Sequence, residues 1–460
     1  MDLDTINVDT DVQEILLAAS NHDIPKLRQL IRANENNSNI GNPVNVKDPE
    51  TGYSPLHAAI AACETEEAEE EKGEKKPAAN GVNETNGVQD QNHANGTGDD
   101  DGRGDNKKKE ENVLQSAVET VRFLLQEGAI WNDLDLNDET PGCIARRLGA
   151  MELYDTMVDA GVRAELLLNR LDGYEPLDDD DYDNDDDEEN ENENEDENEP
   201  VPETEEHGES IPDLVDTTTQ QPPASASASE PQTAAGATTN PSVTNPRYLS
   251  SNLTFRNDRL LDQDQNGVMM SWETDIMTKS AQKLFPNPSL RVLNIGHGMG
   301  IIDTVIQSLS PSAHHIVEAH PSVVEEMKRK GWHEKPGVHI HEGKWQDVLP
   351  SLVAEGVMFD AIYYDTFAEN YSDFREFFNE QVIGLLEEGG KWGFFNGMGA
   401  DRQISYDVYQ KVVEMDLFEA GFDVEWEEFE VPKLDGEWEG VRRPYWAIEN
   451  YRLPVCRYMD

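Results

Sequence analysis

Residues 291–303 read RVLNIGHGMGIID. A short apolar run ends at Ile295, three glycines follow at alternate positions (Gly296, Gly298 and Gly300), and an apolar helix candidate opens behind them. A strand, a glycine-rich turn and a helix form the unit over which ligands bind in parallel α/β sheets, at the carboxyl ends of the strands. Glycine permits bends there that a Cβ would block, so the backbone can pass close to a ligand.

The spacing narrows the ligand class. Dinucleotide sites use G-x-G-x-x-G, and P-loops end in Gly-Lys-Ser/Thr. Here the spacing is G-x-G-x-G with no such Lys, which suits a ligand without phosphates at the turn, as S-adenosylmethionine lies in class I methyltransferases. Further strand candidates follow at HHIVEA (314–319), GVHIHEG (337–343), FDAIYYD (359–365), KWGFFNG (391–397), DVEWEEFEV (423–431) and AIENYRLPVCRY (447–458). Helix candidates alternate with the earlier ones: IDTVIQSL, SVVEEMKRKG, DFREFFNEQVIGLLEEG and a longer one at about 404–420, with VMMSWETDIMTKSAQKLF leading into the first strand. This pattern predicts an α/β, Rossmann-like domain over about 246–460, with a seven-stranded mixed sheet ending in an antiparallel pair. Glu318 would end the second strand, where a carboxylate can accept ribose hydroxyls. Trp345 and Gln346 follow the third strand, placed for an adenine, and Asp365 ends the fourth.

Upstream, Pro55-Leu56-His57-x-Ala59 matches the T-P-L-H-x-A signature of ankyrin repeats, with Ser54 in the Thr position. Thr140-Pro141 opens a second such helix, after Gly128-Ala129 ends the one before it. Pro55 and Pro141 are separated by far more than the ~33-residue period, and the polar tract at about 64–112 accounts for the excess. Residues 1–170 therefore read as an all-α, ankyrin-repeat-like domain with one disordered insertion, and its surface is a candidate for protein binding.

Residues 171–245 read as a disordered linker. From Asp178 to Glu199, 16 of 22 residues are Asp or Glu, and Ser/Ala/Thr/Pro repeats follow. Much of the formal net charge of -59 across 460 residues lies in these tracts. That charge argues against direct binding to nucleic acid or anionic membranes and favours a basic protein partner. Three dispersed cysteines and an acidic start, MDLDTINVDTDV, without signal-peptide features predict a soluble protein of the cytoplasm and nucleus. The histidines at 314, 315, 320, 333, 339 and 341 are dense, but no recognisable ligand spacing joins them, so no metal site is expected.

GVMMSWETDIM, VLNIGHGMGI, IVEAH, GKWQDV and IYYDTF, in this order, resemble guanidinoacetate methyltransferase. They are still more similar to the type IV protein arginine methyltransferases, which carry ankyrin-like repeats ahead of the same catalytic domain. The resemblance implies monomethylation of the internal (δ, N5) nitrogen of arginine residues, with a large-subunit ribosomal protein as the substrate class and S-adenosyl-L-methionine as cofactor. It also implies cofactor contacts at Met277, at the turn Gly296, His297, Gly298, Met299, Gly300 and Ile301, at Glu318, Ala319 and His320, and at Trp345, Gln346 and Asp365, with Phe255 closing over the cofactor. Phe367 stands where the smaller enzyme has Tyr, which removes a hydroxyl contact.

A guanidinium is charged, delocalised and without a free lone pair. A site that methylates it must localise the charge and take a proton, and carboxylates do both through paired, charge-assisted hydrogen bonds. Glu273 and Asp365 are the catalytic candidates: Glu273 for orientation, Asp365 for a second grip and proton acceptance. Trp272 is either a cation–π partner or a packing residue, and Trp392 with Phe394 and Phe395 reads as core. Two other functions remain compatible with these residues: methylation of a small guanidino compound, and an ankyrin scaffold with an inactive methyltransferase domain.

Overall fold

The computed structural model describes residues 3–37, 40–64, 101–171 and 243–459. The expected linker core and most of the expected insertion lie outside these residues. One part of the insertion does not: the helix Asp101–Gln126 begins well before residue 112, where disorder was expected to end. Lys and Glu are strong helix formers, so the run KKKEEN extends the amphipathic VLQSAVETVRFLL toward its amino end.

All regular elements described between 3 and 171 are helical. Leu3–Ser20 is followed by Ile24–Asn34, Pro55–Ala61 by Asp101–Gln126, and Pro141–Arg147 by Met151–Leu171. The two Pro-initiated helices start alike. The Ser54 and Thr140 hydroxyls accept the His57 and Cys143 amides, and Pro takes the first helical position, where its missing N–H costs nothing. His57 joins the two turns, with Nδ1 2.8 Å from Ser54 Oγ and Nε2 3.2 Å from the Glu139 carbonyl. Leu27, Leu56, Ile60, Val118, Leu124, Ile144 and Leu153 form the buried seam between these helices.

The carboxyl-terminal region holds a seven-stranded sheet whose strands lie side by side in the order Val338–Glu342, Ala313–Glu318, Arg291–Ile295, Phe359–Tyr364, Leu386–Phe394, Asn450–Tyr458 and Phe422–Glu430. Its strands are β4 (Arg291–Ile295), β5 (Ala313–Glu318), β6 (Val338–Glu342), β7 (Phe359–Tyr364), β8 (Leu386–Phe394), β9 (Phe422–Glu430) and β10 (Asn450–Tyr458). Neighbouring strands from β6 through β8 are parallel, and β10 runs antiparallel to both β8 and β9. This is the expected class I methyltransferase sheet. Burial follows topology: β4 and β7, flanked on both sides, are mostly apolar, and all their residues but Arg291 and Asp360 are buried, as suits internal parallel strands.

Two sequence readings need correction. The segment 268–285 is not one helix: Gly267–Met270 is a strand, Ser271–Glu273 a 3-10 turn, and the helix runs Thr274–Leu284. That strand, β3, joins β1 (Thr254–Phe255) and β2 (Arg259–Leu261) in a small antiparallel sheet. The β2–β3 turn is held by Asp262, whose Oδ1 accepts the Asp264 and Asn266 amides at 2.9 and 2.8 Å. The helix expected through Gly389 also ends early, because β8 already starts at Leu386.

The Met151–Leu171 helix packs against Gln403–Glu419. Tyr409 donates to Glu165 at 2.7 Å, Tyr154 donates to Asp407, and a Cβ on Gly142 would overlap Ile404. Gly397, Met398 and Gly399, a few residues before Gln403–Glu419, line a cavity at the carboxyl ends of the parallel strands.

Candidate active site

Strand pairing sets the geometry. The Asp365 amide donates to the Ile295 carbonyl at 2.9 Å, which continues the parallel β4–β7 register and brings the ends of both strands side by side. The approach is so close that a Cβ on Gly296 would lie 1.9 Å from the Asp365 carbonyl oxygen, and Gly296 also has φ +90°. Glycine is required there on both counts. Gly300 opens the helix Ile301–Ser308 at φ +79°, with the His297 ring where a Cβ would go.

Two cavities meet over these strand ends. The smaller, about 50 Å³, is lined by Gly296, Gly298, Glu318, Ala319, Gly343 and Trp345, among others. The larger, about 240 Å³, is lined by Glu273, Tyr364, Phe394, Phe395, Met398, Arg443 and Tyr445, among others. Asp365, Thr366, Phe367, Glu369 and Val268 line both.

Glu318 is fixed before any ligand arrives. Its Oε2 accepts the His297 and Gly298 amides at 2.8 and 3.3 Å, and its Oε1 accepts the His320 amide at 2.7 Å. Of about four lone-pair sites on a carboxylate, three are engaged, which leaves roughly one for a hydroxyl in the cavity. Trp345, buried, donates its indole N–H to Glu369. A carboxylate, an indole face and a glycine-walled turn fit the polar ribose and flat adenine of S-adenosyl-L-methionine.

The other expected cofactor residues are placed differently. The His297 ring turns inward, with Nδ1 2.6 Å from buried Asp303, and His320 caps the helix Pro321–Arg329. The Met299 amide meets the Met269 sulfur at 3.2 Å. Ile301 packs on the core. Met277 is fully buried in the core, and Phe255, 36% exposed on β1, lines neither cavity. Gln346 keeps a buried Oε1 without a partner but also lines neither.

The two candidate carboxylates do converge on the larger cavity. Glu273 is buried, and its carboxyl is pushed well above the usual range by burial and then by the Asp365 charge, against the pull of hydrogen bonds from Tyr445 and the Met270 backbone. The Tyr445 hydroxyl donates to Glu273 Oε1. Asp365 Oδ2 is buried without a partner, and its carboxyl is raised to about 7 by burial and by the Asp303 and Glu318 charges. An unpartnered buried carboxylate oxygen beside a second carboxyl is unfavourable in isolation, and a cation relieves it. Trp272 lines neither cavity and packs against Tyr445, Trp438 and Trp446. Trp392 and Phe394 are core, while Phe394 and Phe395 also face the larger cavity.

Sequence reasoning missed Tyr445 and Glu369. Tyr445 reaches Glu273 across 172 residues from the excursion between β9 and β10, and nothing local marks it. Glu369 lies just past the YDT segment in a turn with no periodic pattern. Among the described residues, no group of three or more His, Cys, Asp or Glu side chains could hold a metal ion. His315, His339 and His341 stack on adjacent strands, and burial with mutual repulsion lowers His315 to about 4.

Residues 251–435 match the family described as Guanidinoacetate N-methyltransferase. The chain is 67% identical to the Protein arginine N-methyltransferase 2 of Aspergillus fumigatus, across 99% of this chain and 98% of that protein. It is 66% identical to the protein of the same name from Emericella nidulans, again across 99% and 98%. Among solved structures, an S-adenosylmethionine dependent methyltransferase from Mesorhizobium loti aligns at 14% identity and a TM-score of 0.30, covering 40% of this chain and 98% of that one. With its cofactor S-adenosyl-L-methionine and a protein as methyl acceptor, this chain belongs to the protein arginine N-methyltransferase 2 family.

Proposed function

We propose that the protein transfers one methyl group to the internal (δ, N5) nitrogen of arginine residues, and that its substrate is a large-subunit ribosomal protein. The observation that carries this reading is that Asp365 borders both cavities, while Glu273 lines only the larger one and Gly296, Glu318 and Trp345 only the smaller. The smaller cavity is then the donor side and the larger the acceptor side. The matched family name, with guanidinoacetate as substrate, points to the same headgroup.

S-adenosyl-L-methionine supplies an electrophilic methyl group. On the protein's side, Glu273 and Asp365 grip the two terminal nitrogens through charge-assisted hydrogen bonds, and this leaves the internal nitrogen facing the donor cavity. As that nitrogen forms its new bond, the guanidinium loses a proton, and Asp365, raised to about 7, is matched to receive it near neutral pH. Removing either carboxylate costs roughly 10²–10³ in rate, the scale for one preorganised electrostatic partner.

The paired cap-and-turn geometry at Ser54 and Thr140 supports an ankyrin-like array, and that array would recruit the substrate protein. The acidic tract at 178–199 would favour a basic partner by charge alone. Incubation with labelled S-adenosylmethionine and large-subunit ribosomal protein, followed by hydrolysis and amino-acid analysis, should yield δ-methylarginine. Product carrying only terminal ω-methyl groups refutes the assignment, and faster turnover on free guanidinoacetate than on protein moves it to a small-molecule enzyme.

A further inference from the structure

We infer that Glu369 is a positioning residue serving both cavities: its carboxylate anchors the Trp345 indole on the donor side and gives the arginine guanidinium a third negative partner on the acceptor side. The inference rests on the arginine reading above and extends it to a residue outside the Glu273–Asp365 pair.

Glu369 lines both cavities. The Trp345 indole N–H donates to its two oxygens at 3.0 and 3.2 Å, and the Tyr364 hydroxyl donates to Oε2. These donors belong to different elements: Trp345 starts the helix Trp345–Ala354, and Tyr364 ends β7. Glu369 therefore clamps the wall of the donor cavity to the strand that delivers Asp365.

The turn that carries it is strained. Ala368 sits at φ +63°, a left-handed conformation that costs a residue with a Cβ on the order of 1–3 kcal/mol. Ala368 lines the acceptor cavity, and its neighbours Phe367 and Glu369 line both cavities, so this bend lies at their boundary. Held strain at a site boundary is a mark of preorganisation.

The charge balance of the acceptor cavity gives the carboxylate a second task. An arginine whose internal nitrogen is aimed at the methyl still presents four N–H groups on its terminal nitrogens. Glu273 already commits one oxygen to Tyr445, whereas Asp365 Oδ2 has no partner. Glu369 is the remaining carboxylate of that cavity. Its oxygens already accept from Trp345, Tyr364 and Thr366, so what it offers the guanidinium is its charge rather than a vacant lone pair. Burial raises it above the usual range, so an arriving cation would stabilise its ionised form.

The test separates the two tasks by chemistry. Glu369→Gln keeps a carbonyl oxygen for the indole but loses the charge, and Glu369→Ala loses both. Full-length variants are titrated with S-adenosylhomocysteine by calorimetry and assayed on total large-subunit ribosomal protein from cells lacking the enzyme. Glu369→Gln should hold the donor Kd within about 2-fold while the acceptor KM rises about 10-fold, the scale of one charge-assisted contact. Glu369→Ala should weaken donor binding about 10-fold as well. An unchanged acceptor KM in Glu369→Gln overturns the acceptor task, and an unchanged donor Kd in Glu369→Ala overturns the anchor. Wild-type protein that methylates no arginine would instead refute the substrate reading, with the calorimetry still deciding the anchor.

Discussion

Asp365→Asn should trade activity for stability, with a pH dependence that identifies the cause. In the folded protein the Asp365 carboxyl titrates at about 7 rather than 3.8. The folded state thus binds a proton more tightly than the unfolded chain does. The contribution of Asp365 to stability is undiminished below about pH 4, falls as pH rises from there to about 7, and stays reduced above it. The gap between the two values corresponds to about 4 kcal/mol when Asp365 is fully ionised, and roughly half of that has developed by pH 5.5. Asparagine keeps the shape and cannot ionise. Any cost of burying its amide without partners is the same at both pH values and cancels in the comparison. The variant's advantage over wild type should therefore be about 2 kcal/mol larger at pH 8 than at pH 5.5, or roughly 4 °C in the calorimetric Tm of cofactor-free protein. Turnover at pH 8 should fall about 10³-fold. An advantage that does not grow with pH, or a variant less stable than wild type only at pH 8, would show that Asp365 is not a strained, ionised carboxylate awaiting a cation.

Glu273→Gln should lower kcat about 10²-fold or more, yet leave the calorimetric Kd for S-adenosylhomocysteine nearly unchanged, because Glu273 lines only the acceptor cavity; equal loss of donor affinity would reassign it. Gly296→Ala should give protein that is inactive or melts many degrees lower, since its Cβ would meet the Asp365 carbonyl at 1.9 Å, and near-normal activity would contradict the strand-end geometry. The acid limb of the kcat/KM profile should have an apparent pKa near 7, as Asp365 must be ionised to grip the guanidinium; a flat profile between pH 6 and 8 would remove it from that role.

The strand-turn-helix at 291–308 was legible because two constraints coincide there: an internal parallel strand must be apolar, and only glycine tolerates the approach of Asp365. The starts of the two Pro-initiated helices were legible for an equally local reason, a hydroxyl cap followed by Pro. The β1–β3 sheet was missed because strands of two to four residues are too short for alternation to register, although Asn266-Gly267 is a hairpin signal. Met277 and Phe255 line neither cavity, and the side of a helix or strand that faces a cavity is set by tertiary packing, which local sequence does not carry. The Tyr445–Glu273 contact is tertiary and has no trace in either segment.

A crystal structure of the protein with S-adenosylhomocysteine and an arginine-containing peptide would show which guanidinium nitrogen faces the methyl donor. The sulfur should lie beside Gly296 and Gly298, and the guanidinium between Glu273 and Asp365 with its internal nitrogen turned toward that sulfur. A guanidinium bound away from Asp365, or presenting a terminal nitrogen to the sulfur, would contradict this arrangement.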